Sequence, residues 1–256
     1  MTRNSEIFNP YVEEILSQVS SACRELGVDF YLVGAVARDY HLSRDESYTP
    51  KRITADIDVV VVVADEKQFI ALKEQLISKG EFRQHNEPIK LIYKDGFELD
   101  LLPCGAIEEN GETRLTNPKV FVLDMPGFAL LNELAVNVQW SENVNARVCP
   151  LEGIVLLKLL AWDNRQERTK DLFDIDTIIK LYFDNHSSEV YDTYYDVLVN
   201  NDSKNPDYTT VVCAEVIGIK LRAILKPDAA LRERVINILE KDERPFWSDM
   251  LRGLKS

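Results

Sequence analysis

Residues 59–63 are five consecutive valines, and they follow directly on Asp56-Ile57-Asp58. Branching at Cβ suits an extended chain and crowds a helix, so 57–63 is the most strand-like stretch of the sequence. Side chains alternate across a strand with a period of two. Asp56 and Asp58 therefore share one face and Ile57 takes the other. Any fold of this chain must hold a sheet with two carboxylates on one surface.

The flanking sequence supplies further elements. Asn9-Pro10 reads as a cap followed by a first helical residue, and 11–26 carries Val12, Ile15, Leu16, Val19 and Cys23 on one face before Gly27 stops it. A short apolar strand at 30–33 runs into Gly34, and a helix is expected over 35–42. Residues 43–52 are polar and read as a loop. Asp65 can cap a helix over 66–79, and 89–93 and 97–102 flank Lys94-Asp95-Gly96, which predicts an antiparallel hairpin. Beyond Pro103 come a strand at 120–123 and the turn Met125-Pro126-Gly127. From Pro150 on, helical periodicity takes over, at 151–162, 170–183, 189–199, 211–225 and 229–241. The expected class is α+β, with a small mixed sheet flanked by helices (1–140) followed by an all-helical domain (141–256).

At 256 residues and 45% hydrophobic content the chain can build a real core. The longest apolar run is strand-length, far short of the roughly 20 residues that cross a bilayer. The polar start Met1-Thr2-Arg3-Asn4-Ser5-Glu6 does not resemble a signal peptide, so no membrane and a cytoplasmic location are expected. Cys23, Cys104, Cys149 and Cys213 are scattered, as are the three histidines, which points to free structural thiols rather than a zinc site. A net charge of −13 argues against coating nucleic acid by bulk electrostatics.

The chemistry-bearing residues cluster early. In 97–102, Asp100 alternates against Leu99 and Leu101, so it joins Asp56 and Asp58 if the two strands are neighbours. Like charges about 4 Å apart repel by roughly 4 kcal/mol at an effective dielectric near 20, so such a row needs cations. Mg²⁺ suits an all-oxygen ligand set shared with phosphates, and two such ions can drive an in-line displacement that releases pyrophosphate. Read without that context, the aspartates are solvated strand-edge charges. Gly34-Ala35 at a strand-to-helix turn lets backbone N–H groups meet a triphosphate, while the plainer reading is an ordinary turn. Arg38 can clamp a phosphate and Asp39 orient it, or the two can simply pair with each other.

Glycine turn, Ala-Arg-Asp helix, Asp-Ile-Asp strand and Glu-Leu-Asp-Leu-Leu-Pro strand together resemble the polymerase-beta-like nucleotidyltransferase superfamily over residues 30–103. The resemblance implies triphosphate binding at Gly34 and a two-metal Mg²⁺ site at Asp56, Asp58 and Asp100. Ala35 departs from the usual Gly or Ser and brings no hydroxyl to the phosphate. Further on, Leu156-Leu157-Lys158, Arg165, Arg168 and Lys170-Asp171-Leu172-Phe173-Asp174 resemble the abortive-infection (AbiEii-type) nucleotidyltransferase toxins. There the resemblance implies Lys158 on the nucleotide phosphates and Asp171 at the acceptor or base side. The plainer reading makes Lys158 a snorkelling lysine and Asp171, Asp174 and Asp176 the acidic start of a helix.

The expected activity is transfer of a nucleoside monophosphate from an NTP to a hydroxyl, on tRNA or other RNA or on a protein, by a toxin-like component with a neutralising antitoxin. An antibiotic-type adenylyltransferase acting on a small molecule is the enzymatic alternative. A nucleotide-binding module of the same fold without turnover is the alternative from another class. The Gly34 to Asp39 turn also resembles the head of tRNA CCA-adding enzymes, but their downstream motifs are missing.

Overall fold

The structure, a computed structural model, describes residues 7–45, 48–50 and 54–256. The N-terminal six residues and part of the loop expected over 43–52 lie outside them. In chain order the elements begin α1 (Pro10–Leu26), β1 (Asp29–Val33), α2 (Gly34–Leu42), β2 (Asp56–Val62), α3 (Glu66–Ser78), β3 (Phe82–Gln84), β4 (Lys90–Tyr93) and β5 (Phe97–Cys104). There follow β6 (Glu108–Glu109), β7 (Glu112–Leu115), β8 (Phe121–Asp124), α4 (Phe128–Asn132), β9 (Val136–Gln139) and β10 (Asn145–Val148). The rest is helical: α5 (Leu151–Asn164), α6 (Thr169–Thr193), α7 (Tyr195–Asn200), α8 (Tyr208–Ile224), α9 (Ala229–Lys241) and α10 (Trp247–Lys255). The class is α+β.

Two compact units divide the chain. One is Met1–Tyr40 with Thr49–Pro150, the other His41–Tyr48 with Leu151–Ser256. In the first, seven strands form a mixed sheet in the order β3-β4-β5-β2-β1-β10-β9, and β6-β7-β8 form a second, smaller sheet. The valine run is the middle of the large sheet, with β1 antiparallel on one side of β2 and β5 parallel on the other. Ile57, Val59 and Val61 are fully buried, as are Leu99 and Leu101 beside them, while Asp56, Asp58 and Asp100 on the opposite face are half-buried. The period-two pattern thus becomes one dry face and one carboxylate face.

Local signals set the element ends. Asn9 Oδ1 accepts the Tyr11 N–H at 2.9 Å, Pro10 opens α1, and Gly27 closes it in the left-handed region. Asp65 Oδ1 accepts the Gln68 N–H at 2.9 Å at the start of α3. Strands β9 and β10 escaped the pattern reading because they are four residues long and rich in Asn, Gln and Arg. Strand β10 pairs parallel to β1 through Leu32 and Val148, so the sheet runs past the boundary expected at 140/141.

In the helical unit, the helix expected at 170–183 runs on to Thr193 as α6, with a non-helical residue at His186 (φ −132°), and the helix expected at 189–199 is split between the end of α6 and α7. Helix α5 is apolar nearly all round, and most of its residues are buried, as a core helix must be. Helices α8 and α10 touch backbone to backbone: a Cβ on Gly218 would lie 1.9 Å from the Met250 carbonyl, and one on Gly253 2.0 Å from that of Glu215. All four cysteines are buried thiols outside any disulfide, and burial pushes those of Cys23, Cys104 and Cys213 up to about 12. Among the described residues no helix is long and apolar enough to cross a membrane.

Candidate functional site

Strand register decides which side chains share a row. Asp58 lies opposite Val33 of β1 on one side and opposite Asp100 of β5 on the other, and Asp100 in turn lies opposite Lys90 of β4. Asp56, two residues before Asp58, is the register partner of Glu98. Adjacent strands lie about 4.8 Å apart, so Asp58 and Asp100 start from backbones close enough to serve one ion. The pairing on which the three-carboxylate site depends is therefore present.

Gly34 closes the other side of the site. It sits at the junction of β1 and α2 with φ +69°, a conformation that glycine adopts without strain. A Cβ built there would lie 2.0 Å from Asp58 Oδ2 and 2.9 Å from its Cγ. The glycine turn and the Asp-Ile-Asp strand, read separately in the sequence, are in van der Waals contact. Gly34 and Ala35 are half-exposed at the N-terminus of α2, where backbone N–H groups favour anions.

Lys90 went unnoticed in the sequence. It reaches Glu98 and lies 3.2 Å from Asp100 Oδ1, with only 13% of its side chain exposed. Burial pulls its pKa down, but Glu98 and Asp100 more than offset this and hold the ammonium above its ordinary range. Asp100 is shifted up, first by burial; Lys90 opposes the shift, while Asp56 and Glu98 add to it. The Lys90 ammonium lies beside the buried Oδ1 of Asp100 as its ion-pair partner. The hairpin could have found Lys90. With Tyr93 paired to Phe97 across the Lys94-Asp95-Gly96 turn, counting back along both strands sets Lys90 against Asp100.

Carboxylate oxygens are the donor type that a hard divalent cation takes. As the side chains stand, no three His, Cys, Asp or Glu among the described residues form a group that could hold a metal. The row shows why for Asp100: β5 lies between β4 and β2, and Lys90 draws the carboxylate from the flank opposite Asp58. The three carboxylates meet in backbone register but not yet in side-chain position.

The remaining expected residues are engaged with one another. Arg38 Nε donates to Asp39 Oδ1 at 2.7 Å, and both are buried, so the guanidinium is turned onto its neighbour. In the helical unit, Lys158 Nζ lies 2.5 Å from Asp174 Oδ2 and 3.2 Å from Asp171 Oδ1, and Arg168 Nε meets Asp171 Oδ2 at 2.6 Å. Asp171 and Asp174 are 2% and 4% exposed, so these are interior carboxylates with compensating cations rather than surface decoration of a helix start. Trp247 is buried edge-on against Trp162 at 5.4 Å, and Tyr195 is exposed.

No protein-family model matches the chain, and no curated protein does. Among solved structures it is similar to an antigenic nucleotidyltransferase-like protein from Paracoccidioides brasiliensis (17% identity over 68% of this chain and 78% of that one, TM-score 0.44). It is also similar to a lincomycin-bound lincosamide antibiotic adenylyltransferase (17% identity, 66% and 97% covered, TM-score 0.39). A third is the Thermotoga maritima CCA-adding enzyme complexed with tRNA (14% identity, 96% and 67% covered, TM-score 0.29). Overlaps this loose leave the chemistry to be read from this chain's own side chains.

Proposed function

We propose that this protein is a Mg²⁺-dependent nucleotidyltransferase. The observation that carries the reading is the row Asp58–Asp100 on adjacent parallel strands, with Asp56 on the same face and the Gly34 turn against Asp58. Asp56 and Asp58 would hold the ion, and Asp100 would join them as a further oxygen ligand. Gly34 and Ala35 present the start of α2 to the triphosphate; without a hydroxyl at Ala35, that contact is made by backbone N–H groups. Bound Mg²⁺ supplies charge neutralisation on the phosphates and activation of the acceptor hydroxyl. In the reaction the acceptor hydroxyl gives up its proton to solvent, its oxygen bonds to the α-phosphorus, the bond from that phosphorus to the bridging oxygen breaks, and pyrophosphate leaves with the electron pair.

The net charge of −13 favours a protein hydroxyl or a small molecule over a polyanionic RNA as acceptor. The sequence resemblance to abortive-infection toxins extends the proposal to a toxin restrained by an antitoxin protein. Lys158 and Asp171 take a structural part in this reading, because each is already charge-matched inside the helical unit.

The test is incubation with each labelled NTP, Mg²⁺ and a cell extract, then separation into RNA, protein and small-molecule fractions. Label should enter one fraction and vanish with Asp56→Ala/Asp58→Ala. Transfer that survives the double substitution sinks the mechanism. Nucleotide binding without pyrophosphate release in any fraction would leave a binding module.

A further inference from the structure

The end of α6 and the whole of α7 hold large apolar side chains out in solvent. Tyr191, Tyr195 and Val199, each four residues after the last, are 55%, 59% and 58% exposed. Tyr195 and Val199 share one face of α7, whose other face buries Val197 and Leu198. Only Tyr194 separates the two helices, and its N–H still donates to the Val190 carbonyl at 3.1 Å, so the chain stays wound between Tyr191 and Tyr195. Tyr191 meets the Phe183 ring edge-on at 5.8 Å. Fraying does not explain the exposure, because α7 is pinned from behind. Tyr208 Oη donates to the Leu198 carbonyl at 2.7 Å, and Asn201 Nδ2 donates to the Val197 carbonyl at 2.8 Å and to Glu215 Oε2 at 2.9 Å. Arg252 Nη2 closes this frame on Asn201 Oδ1 at 3.0 Å.

The charge around these rings has one sign. Between Lys180 and Lys204 the chain carries Asp184, Glu189, Asp192, Asp196 and Asp202 and neither lysine nor arginine. Lys220 engages Glu189, whereas Asp192 and Asp196, each next in sequence to an exposed tyrosine, are themselves exposed. Tyrosine faces beside carboxylates suit arginine, whose planar cation stacks on the ring while the carboxylates accept its N–H groups. Single exposed apolar residues need no explanation; two tyrosines and a valine held outward on a braced helix do. We infer that Tyr191, Tyr195 and Val199, with Asp192 and Asp196, form a docking surface for a protein partner that presents arginines among apolar side chains. Nucleic acid, an anionic membrane surface or the same patch on a second copy would set negative charge against negative charge. The surface lies wholly in the helical unit and includes no residue of the carboxylate row, so it goes beyond the proposed reaction and stands without a metal site.

The experiment titrates the full-length protein into a short fluorescein-labelled peptide of alternating arginine and leucine, and into its lysine counterpart, with fluorescence anisotropy as the readout. A chain this acidic attracts any cationic peptide, so the variants must separate the patch from bulk charge. Tyr191→Ala and Tyr195→Ala, which leave the charge unchanged, should each weaken binding at least about fivefold. Asp192→Asn/Asp196→Asn should weaken it at least about tenfold, whereas Glu233→Gln/Glu243→Gln, which removes as much charge from exposed positions elsewhere in the helical unit, should stay within about twofold. The lysine peptide should bind at least about threefold more weakly than the arginine one. If Tyr195→Ala disturbs α7, Tyr195→Gln keeps a good helix former there and makes the same comparison. Equal losses in the two carboxylate pairs, tyrosine variants within about twofold of wild type, or no binding by the wild type overturns the inference. Sedimentation of the protein alone supplies the last check: self-association that Tyr195→Ala abolishes would make a second copy the occupant and overturn it too.

Discussion

Substituting Gly34 by alanine separates a site built around that glycine from a turn that merely contains one. Two costs arise. Holding a non-glycine residue at φ +69° costs about 1–2 kcal/mol. The new Cβ would stand 2.0 Å from Asp58 Oδ2, so the carboxylate must retreat by more than about 1 Å, by rotation at about 0.5–1.5 kcal/mol. Together these predict a fall of roughly 3–10 °C in melting temperature for a chain of this size. The functional loss should be far larger, about 100-fold in pyrophosphate release, because a displacement of that size at a reacting centre costs that much. Mn²⁺ affinity should fall with it. Gly27 provides the control. It has φ +63° but nothing within 4 Å of a built Cβ, so Gly27→Ala carries the backbone strain alone. Calorimetry, metal titration and a pyrophosphate assay on both variants decide the matter. If Gly34→Ala keeps metal affinity and turnover within a few-fold of wild type, the contact between glycine turn and Asp58 has no functional meaning.

Other perturbations test the remaining parts. Asp56 adds to the upward pressure on Asp100, so Asp56→Asn should raise stability in chelator by about 0.5–2 kcal/mol while cutting transfer at least about 100-fold; urea unfolding that shows a loss instead means Asp56 is held by a stabilising interaction. Lys158→Met leaves Asp171 and Asp174 short of compensating charge in the interior and should cost about 3–5 kcal/mol, and a loss below about 1 kcal/mol would contradict a structural lysine. Gly218→Ala and Gly253→Ala each force apart two helices in backbone contact and should cost at least about 1–3 kcal/mol by denaturant unfolding, with neutral effects showing that α8 and α10 pack less closely.

Much of this molecule was written locally. The capped first helix, the valine strand, the hairpin and the run of helices after Pro150 all follow from spacing and from Asn, Asp, Gly and Pro at element ends, since a residue's neighbours within one turn or one pleat decide those preferences. The same logic placed Asp56 and Asp58 on one face before any fold was known. It also contained Lys90, because the hairpin register sets that residue against Asp100. Local logic failed for β9 and β10, which at four residues each are too short for a pattern to stand out and which extend the sheet from the edge of β1. For Arg38, Lys158 and Asp171 it left both readings open, and the partners they meet in the fold are Asp39 for Arg38, Asp174 for Lys158 and Arg168 for Asp171.

The sequence by itself determined the carboxylates and the faces they take, because side-chain direction in a strand is a property of the backbone alone. Only the tertiary structure decided that β5 lies parallel beside β2 with Asp58 against Asp100, that Gly34 touches Asp58, and that Lys90 reaches Asp100. Those are facts of distance between segments remote along the chain, settled when their apolar faces are buried together.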